Sequence, residues 1–169
     1  MSATKDEIHI RKPLASDGYD IHQLISNSPP LDLNSVYSYY LLSEHFSDTC
    51  VVAEADGKLV GFISAYRIPQ RPQTLFIWQI VVDQAQRGKR IAWRMLESLL
   101  QRYQQDEVRQ VEATVNPGNA ASRGLFEHLA AAHGSSLQEE TFLESTAFGP
   151  EGDHESEILL RVPLNKQNS

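Results

Sequence analysis

The segment from Leu75 to Met95 constrains the fold most: an apolar run, LFIWQIVV, leads through a polar turn, DQAQRGKR, into IAWRM. Only Gln79 interrupts the run, which reads as a central strand covered on both faces. Arg87-Gly88-Lys89-Arg90-Ile91-Ala92 then opens a helix that continues to Tyr103. Backbone N–H groups at such a helix start, with the helix dipole behind them, form a ready site for a pyrophosphate. Gly88 and Ala92 keep side-chain bulk off a backbone that must approach a ligand closely. Arg87, Lys89 and Arg90 add positive charge. A solvated basic first turn is the plainer alternative, but cations there oppose the helix dipole. A bound anion explains the cluster better.

The surrounding sequence supplies the rest of an α/β order. Glu7 to Lys12 alternates as a half-buried strand does. Ser16 or Asp17 can cap a helix through Asn27, with Ile21, Leu24 and Ile25 on one face, and Ser28-Pro29-Pro30 stops it. A second helix starting at Asn34 or Ser35 carries Tyr37, Tyr40, Leu41 and Leu42. Thr49 to Ala55 and Lys58 to Tyr66 pair across Asp56-Gly57, a strong two-residue hairpin signal. Arg67 to Gln73, with Pro69 and Pro72, reads as a loop, and Val108 to Val115 as a strand. Asn116 to Asn119 caps a helix reaching Ala132, which His133-Gly134 ends. Thr141 to Phe148 and Ser156 to Val162 are further strand candidates, and Lys166 to Ser169 reads as a frayed end. The expected order is β-α-α-β-β-β-α-β-α-β-β. An antiparallel meander feeds the buried strand, a helix and a parallel return strand, in one mixed α/β domain with its core over residues 7–163.

Composition narrows the function. A chain of 169 residues buries about 70% of its unfolded surface, enough for one core without staples. Its 15 Lys and Arg against 22 Asp and Glu give a net charge of −7. That disfavours a nucleic-acid partner and suits a small cationic substrate. The single Cys50 excludes an internal disulfide and reads as a core residue. The six histidines include no H-E-x-x-H, and His128 and His133 fall off a common helix face, so no catalytic metal is expected. No apolar run approaches the roughly 20 residues needed to span a bilayer. Met1 to Lys12 lacks a signal-peptide pattern, which makes a cytoplasmic protein the default.

Arg87, Gly88, Lys89, Ile91 and Ala92 resemble the Gln/Arg-x-x-Gly-x-Gly/Ala pattern of the GNAT superfamily of N-acetyltransferases, where it cradles the pyrophosphate of acetyl-CoA after the fourth strand. Arg90 stands where the central Gly is expected and places a charged side chain beside the phosphates. Three upstream segments carry a closer resemblance: Leu31-Asp32-Leu33-Asn34-Ser35-x-Tyr37-Ser38-Tyr39, Phe46-x-Asp48-Thr49-Cys50-Val51-Val52-Ala53-Glu54, and Pro72-x-Thr74-Leu75-Phe76-x-Trp78-Gln79. They are similar to the L-2,4-diaminobutyric acid acetyltransferases of ectoine synthesis, over residues 8–162. The resemblance implies a GNAT-like central mixed sheet with parallel fourth and fifth strands, flanking helices on both faces, and a homodimer. It also implies transfer from acetyl-CoA to the 4-amino group of L-2,4-diaminobutyrate, by direct amine attack in a ternary complex.

Such a reaction sets requirements. A primary ammonium with pKa of about 10.4 costs roughly 4 kcal/mol to deprotonate at neutral pH, so a carboxylate must assist, directly or through water. A main-chain N–H at the end of the fourth strand, Ile80, Val81 or Val82, is expected to meet the acyl oxygen. Two ammonium groups call for acidic or acceptor-rich positions. Asp32 is the first candidate, with a turn or helix cap as the equal alternative. Glu112 is the second. The resemblance places it against the reacting amine as ligand and base, and a surface Glu is the plain alternative. Trp78 can pack the substrate chain or make a cation–π contact, and Tyr37, ahead of Tyr39, can hydrogen-bond substrate; core packing is the alternative for all three. Asn119 is similar to a residue that GNAT enzymes place against the pantetheine arm, or it is only a helix cap. A Tyr that protonates the departing thiolate in many relatives is replaced by Phe126. For His154, a solvated loop position stands against a role at a dimer interface. Two other readings stay open: a GNAT enzyme for another small amine or a peptide amine, and a non-catalytic acyl-CoA-binding module.

Overall fold

The computed structural model describes residues 7–104, 106–150 and 154–165. Seven strands, β1 (Ile8–Arg11), β2 (Val51–Ala55), β3 (Lys58–Ile68), β4 (Arg71–Val82), β5 (Gln110–Val115), β6 (Gln138–Leu143) and β7 (Glu157–Pro163), form a mixed sheet. Its order is β1-β2-β3-β4-β5-β7-β6. Four helices accompany it: α1 (Gly18–Ser26), α2 (Val36–His45), α3 (Ile91–Leu100) and α4 (Ala120–Ala132). The structure divides into two compact units, one of Met1–Tyr66 with Gln79–Arg102, the other of Arg67–Trp78 with Tyr103–Ser169.

In the first unit β1, β2 and β3 pair antiparallel. Asp56 and Gly57 take φ of 50° and 77° between β2 and β3, the left-handed pair that a two-residue hairpin requires. Ser35 caps α2 by accepting from the Ser38 N–H at 3.3 Å. α1 turns Ile21, Leu24 and Ile25 inward, where they meet Tyr39, Leu42, Val52, Phe62 and Val81 in one core. α3 buries Ile91, Met95, Leu96 and Leu99. It comes so close to β3 that a Cβ on Gly61 would lie 2.9 Å from the Met95 methyl. Beyond α3, Arg102 donates through Nη1 to the carbonyls of Ser47, Asp48 and Cys50 at 3.4, 3.2 and 2.7 Å. Cys50 is fully buried, and burial pushes its thiol up to about 11, so it stays protonated near neutral pH.

In the second unit β4 and β5 run parallel, in register from Thr74↔Gln110 to Ile77↔Ala113. β5 and β6 each pair antiparallel with β7. α4 packs on β7 and buries Phe126, Leu129 and Ala130.

Three expectations are corrected. The connection expected over Arg67 to Gln73 shrinks to Pro69-Gln70, because β3 runs on to Ile68 and β4 starts at Arg71. Arg71, Pro72 and Gln73 are exposed, so main-chain pairing rather than an apolar face extends the strand. The strand expected over Thr141 to Phe148 is β6, Gln138–Leu143, followed by a 3-10 turn over Ser145–Phe148. Every residue of β6 is exposed, which leaves no alternation to read. Finally, β4 is not covered on both faces: Ile77, Gln79 and Val81 are buried, while Trp78 stays 44% exposed. The expectation for Lys166 to Ser169 lies outside the described residues.

Candidate active site

In the first unit, Asp83 follows β4 and accepts from the Ala85 N–H at 3.0 Å, opening a 3-10 turn over Gln84–Gln86. Gly88 takes φ of 84° and Arg90 φ of 59°. A Cβ on Gly88 would meet nothing within 4 Å, so the fold asks for glycine there through backbone sign rather than crowding. Arg90 keeps the left-handed backbone that the missing Gly would adopt freely, at about 1–2 kcal/mol for an L-residue. As N-cap it supplies no side-chain bond, so α3 begins without a capping side chain across its first-turn N–H groups. Arg87, Lys89 and Arg90 are exposed around that start, and Lys89 Nζ donates to Gln86 Oε1 at 2.8 Å. Uncapped N–H groups beside three cations fit a pyrophosphate chemically.

Asp32 lies exposed in the segment before α2, and because Ser35 caps that helix, the cap alternative for Asp32 falls away. The main-chain carbonyl of Asp32 accepts from Gln79 Nε2 at 2.7 Å. Tyr37 is 67% exposed on α2, so core packing does not explain it. Tyr39 is the opposite case. It is fully buried, edge-on to Phe62 with ring centroids 6.3 Å apart, and donates its hydroxyl to Gln79 Oε1 at 3.2 Å. Within β4, Ile80 and Val82 are half-buried and Val81 buried.

In the second unit Trp78 faces outward from β4. Glu112 stands on β5, where it was expected, but it is only 1% exposed. Arg71 donates to its two oxygens at 2.7 and 3.1 Å, and Arg161 Nε donates to Oε1 at 2.9 Å. Burial alone would raise the pKa of this carboxyl. The hydrogen bonds and charges of the two arginines outweigh it and hold Glu112 below its ordinary value. A carboxylate so engaged is a weaker proton acceptor than a free one. Asn119 Oδ1 accepts from the Ser122 N–H at 3.1 Å and so caps α4, the plainer of its two readings. Phe126 is buried on α4 and has no proton to give. His154 stacks on Phe148, with centroids 3.7 Å apart.

Residues 18–131 match the model of the acetyltransferase (GNAT) family. The chain is also 48% identical over 155 residues to the L-2,4-diaminobutyric acid acetyltransferase of Bordetella parapertussis, covering 91% of this chain and 83% of that one. The chain belongs to the diaminobutyrate acetyltransferases of the GNAT family. A second such acetyltransferase, from Vibrio cholerae, is 43% identical over 158 residues, 94% of this chain and 91% of its own. The solved diaminobutyrate acetyltransferase of Paenibacillus lautus, in complex with its substrate L-2,4-diaminobutyric acid and coenzyme A, superposes with a TM-score of 0.91 at 38% identity, covering 97% and 99% of the two chains.

Among the described residues no group of three or more His, Cys, Asp or Glu could hold a metal ion, and no helix is long and apolar enough to cross a membrane. Sequence reasoning passed over Gln79 as a structural link. Its signal was a lone polar residue inside LFIWQIVV. Nothing in the sequence pointed to Arg71 and Arg161 as the partners of Glu112.

Proposed function

We propose that this chain transfers the acetyl group of acetyl-CoA to the 4-amino group of L-2,4-diaminobutyrate, giving N4-acetyl-L-2,4-diaminobutyrate for ectoine biosynthesis. The observation that carries this reading is the near full-length likeness to a diaminobutyrate acetyltransferase bound to that amino acid and coenzyme A. The thioester supplies the acyl group, and the residues of this chain bind and orient. Within the first unit, the start of α3, Arg87 to Ala92, cradles the pyrophosphate, with Ile80, Val81 and Val82 offering main-chain groups. In the same unit Asp32 supplies the negative charge that a substrate with two ammonium groups and one carboxylate needs, and Tyr37 a hydroxyl. In place of the base role, Glu112 acts as the anchor that holds Arg71 and Arg161 in the sheet.

The protein works as a cytoplasmic homodimer in this reading, as a single domain. The exposed apolar side chains Phe142 and Leu143 on β6, the last strand in the sheet order, support a second copy as partner. Sedimentation velocity at micromolar concentration tests it, a dimer being expected and a lone 19.0 kDa species contradicting it.

NMR of the reaction product tests the regiochemistry. Acetyl on the 4-nitrogen alone is expected; acetyl on the 2-nitrogen, or on both, contradicts the proposed orientation. An acceptor of another class is not favoured, since the relatives matched over most of their length are diaminobutyrate enzymes.

A further inference from the structure

We infer that Gln79 is a positioning residue for substrate recognition, gripping from inside the first unit the segment that carries Asp32. The inference rests on the proposed role of Asp32 as a substrate ligand. Gln79 is buried in β4, where an amide left without partners is costly, and its main-chain N–H and both side-chain polar atoms are engaged. Its main-chain N–H donates to Ser64 Oγ at 3.1 Å, Nε2 donates to the Asp32 carbonyl at 2.7 Å, and Oε1 accepts from the Tyr39 hydroxyl at 3.2 Å. The Tyr39 hydroxyl in turn accepts from the Asn34 main-chain N–H at 3.2 Å. These bonds run in one direction, from Asn34 N–H through the Tyr39 hydroxyl to Gln79 Oε1, and from Gln79 Nε2 to Asp32. The chemistry fixes the amide orientation, because a flipped amide would set two oxygens against each other at Asp32.

The grip matters because residues 32–35 belong to neither helix nor strand. Their main chain has no ladder to hold it, and Gln79 and Tyr39 fasten it at two points, on either side of Leu33. The exposed Asp32 side chain therefore leaves from a fixed backbone. A carboxylate on a fixed backbone loses less freedom on meeting an ammonium than one on a free loop. Gln79 touches neither substrate in this account. It acts through Asp32.

The test is steady-state kinetics on the full chain with Gln79→Met, Asp32→Asn and the two combined, with melting temperatures alongside. Gln79→Met keeps side-chain length and removes both amide bonds. It is expected to raise KM for diaminobutyrate about tenfold, with KM for acetyl-CoA within about twofold of wild type. The double variant should be no worse than Asp32→Asn alone, since both changes remove the same interaction. If Asp32→Asn raises that KM but Gln79→Met does not, or if the two effects multiply in full, the positioning role is overturned while the Asp32 reading stands. If Asp32→Asn leaves KM for diaminobutyrate unchanged, the Asp32 reading itself fails and this inference with it. Should Gln79→Met not fold, Tyr39→Phe breaks the same chain at its middle link, with the same KM split expected and an unchanged KM contradicting the inference.

Discussion

Arg71 and Glu112 meet two-pronged, Nη1 to Oε1 at 2.7 Å and Nη2 to Oε2 at 3.1 Å, with Arg161 joining at Oε1. Removing the carboxylate leaves two guanidinium groups facing each other over a buried position. Because Arg71 is half exposed, the cost falls at the low end for buried pairs, about 3 kcal/mol for Glu112→Ala. The pH dependence has a definite sign. The folded carboxyl sits below its unfolded value of 4.5, so the stabilisation is complete above that pH and is lost as pH falls through the folded value. Urea denaturation should find the gap between wild type and Glu112→Gln widest near neutral pH and shrinking in acid. A gap independent of pH contradicts the pairing. A fall in kcat of a hundredfold or so, with stability unchanged, would restore Glu112 as the base.

Arg90 combines a strained backbone with a useful charge. Arg90→Gly relieves the φ of 59°, whereas Arg90→Ala keeps the strain and drops the charge. The glycine variant should melt above the alanine variant, by roughly 1 kcal/mol of stability. Both should bind acetyl-CoA several-fold more weakly by calorimetry, on the order of a single partly screened ion pair, and the deficit should shrink in high salt. Equal melting of the two variants would remove the backbone argument.

Tyr37 and Tyr39 sit two positions apart and should differ in what their hydroxyls contribute to stability. Tyr37→Phe, on an exposed side chain, should leave stability within about 0.5 kcal/mol and raise KM for diaminobutyrate. Tyr39→Phe should cost about 1 kcal/mol or more, because Gln79 Oε1 and the Asn34 N–H lose their common partner. Thermal melts and initial rates on both variants check the contrast. Equal stability loss in the two would contradict it.

Much of the frame was legible because local chemistry set it. Asp56-Gly57 has the residues that two positive φ values demand, Ser35 has the hydroxyl that caps α2, and Gly134, with φ of 59°, ends α4. The start of α3 was legible for the same reason, since contiguous residues set it. Where pairing alone makes structure, the sequence is silent: β6 has no buried face, and Arg71 to Gln73 extend β4 in the open. The site residues divide in the same way. Glu112 could be placed on its strand from its neighbours, but Arg71 and Arg161 lie 41 and 49 positions away, and only the sheet brings them to it. Trp78 lies in a run apolar enough to look wholly buried, and only the structure shows which face is open.

The most direct test is free-thiol release from acetyl-CoA in the presence of L-2,4-diaminobutyrate, with lysine, ornithine and putrescine as controls. The account predicts release with diaminobutyrate at a rate far above all three. Folded protein that binds acetyl-CoA but releases no thiol with diaminobutyrate, or that prefers one of the control amines, would contradict it.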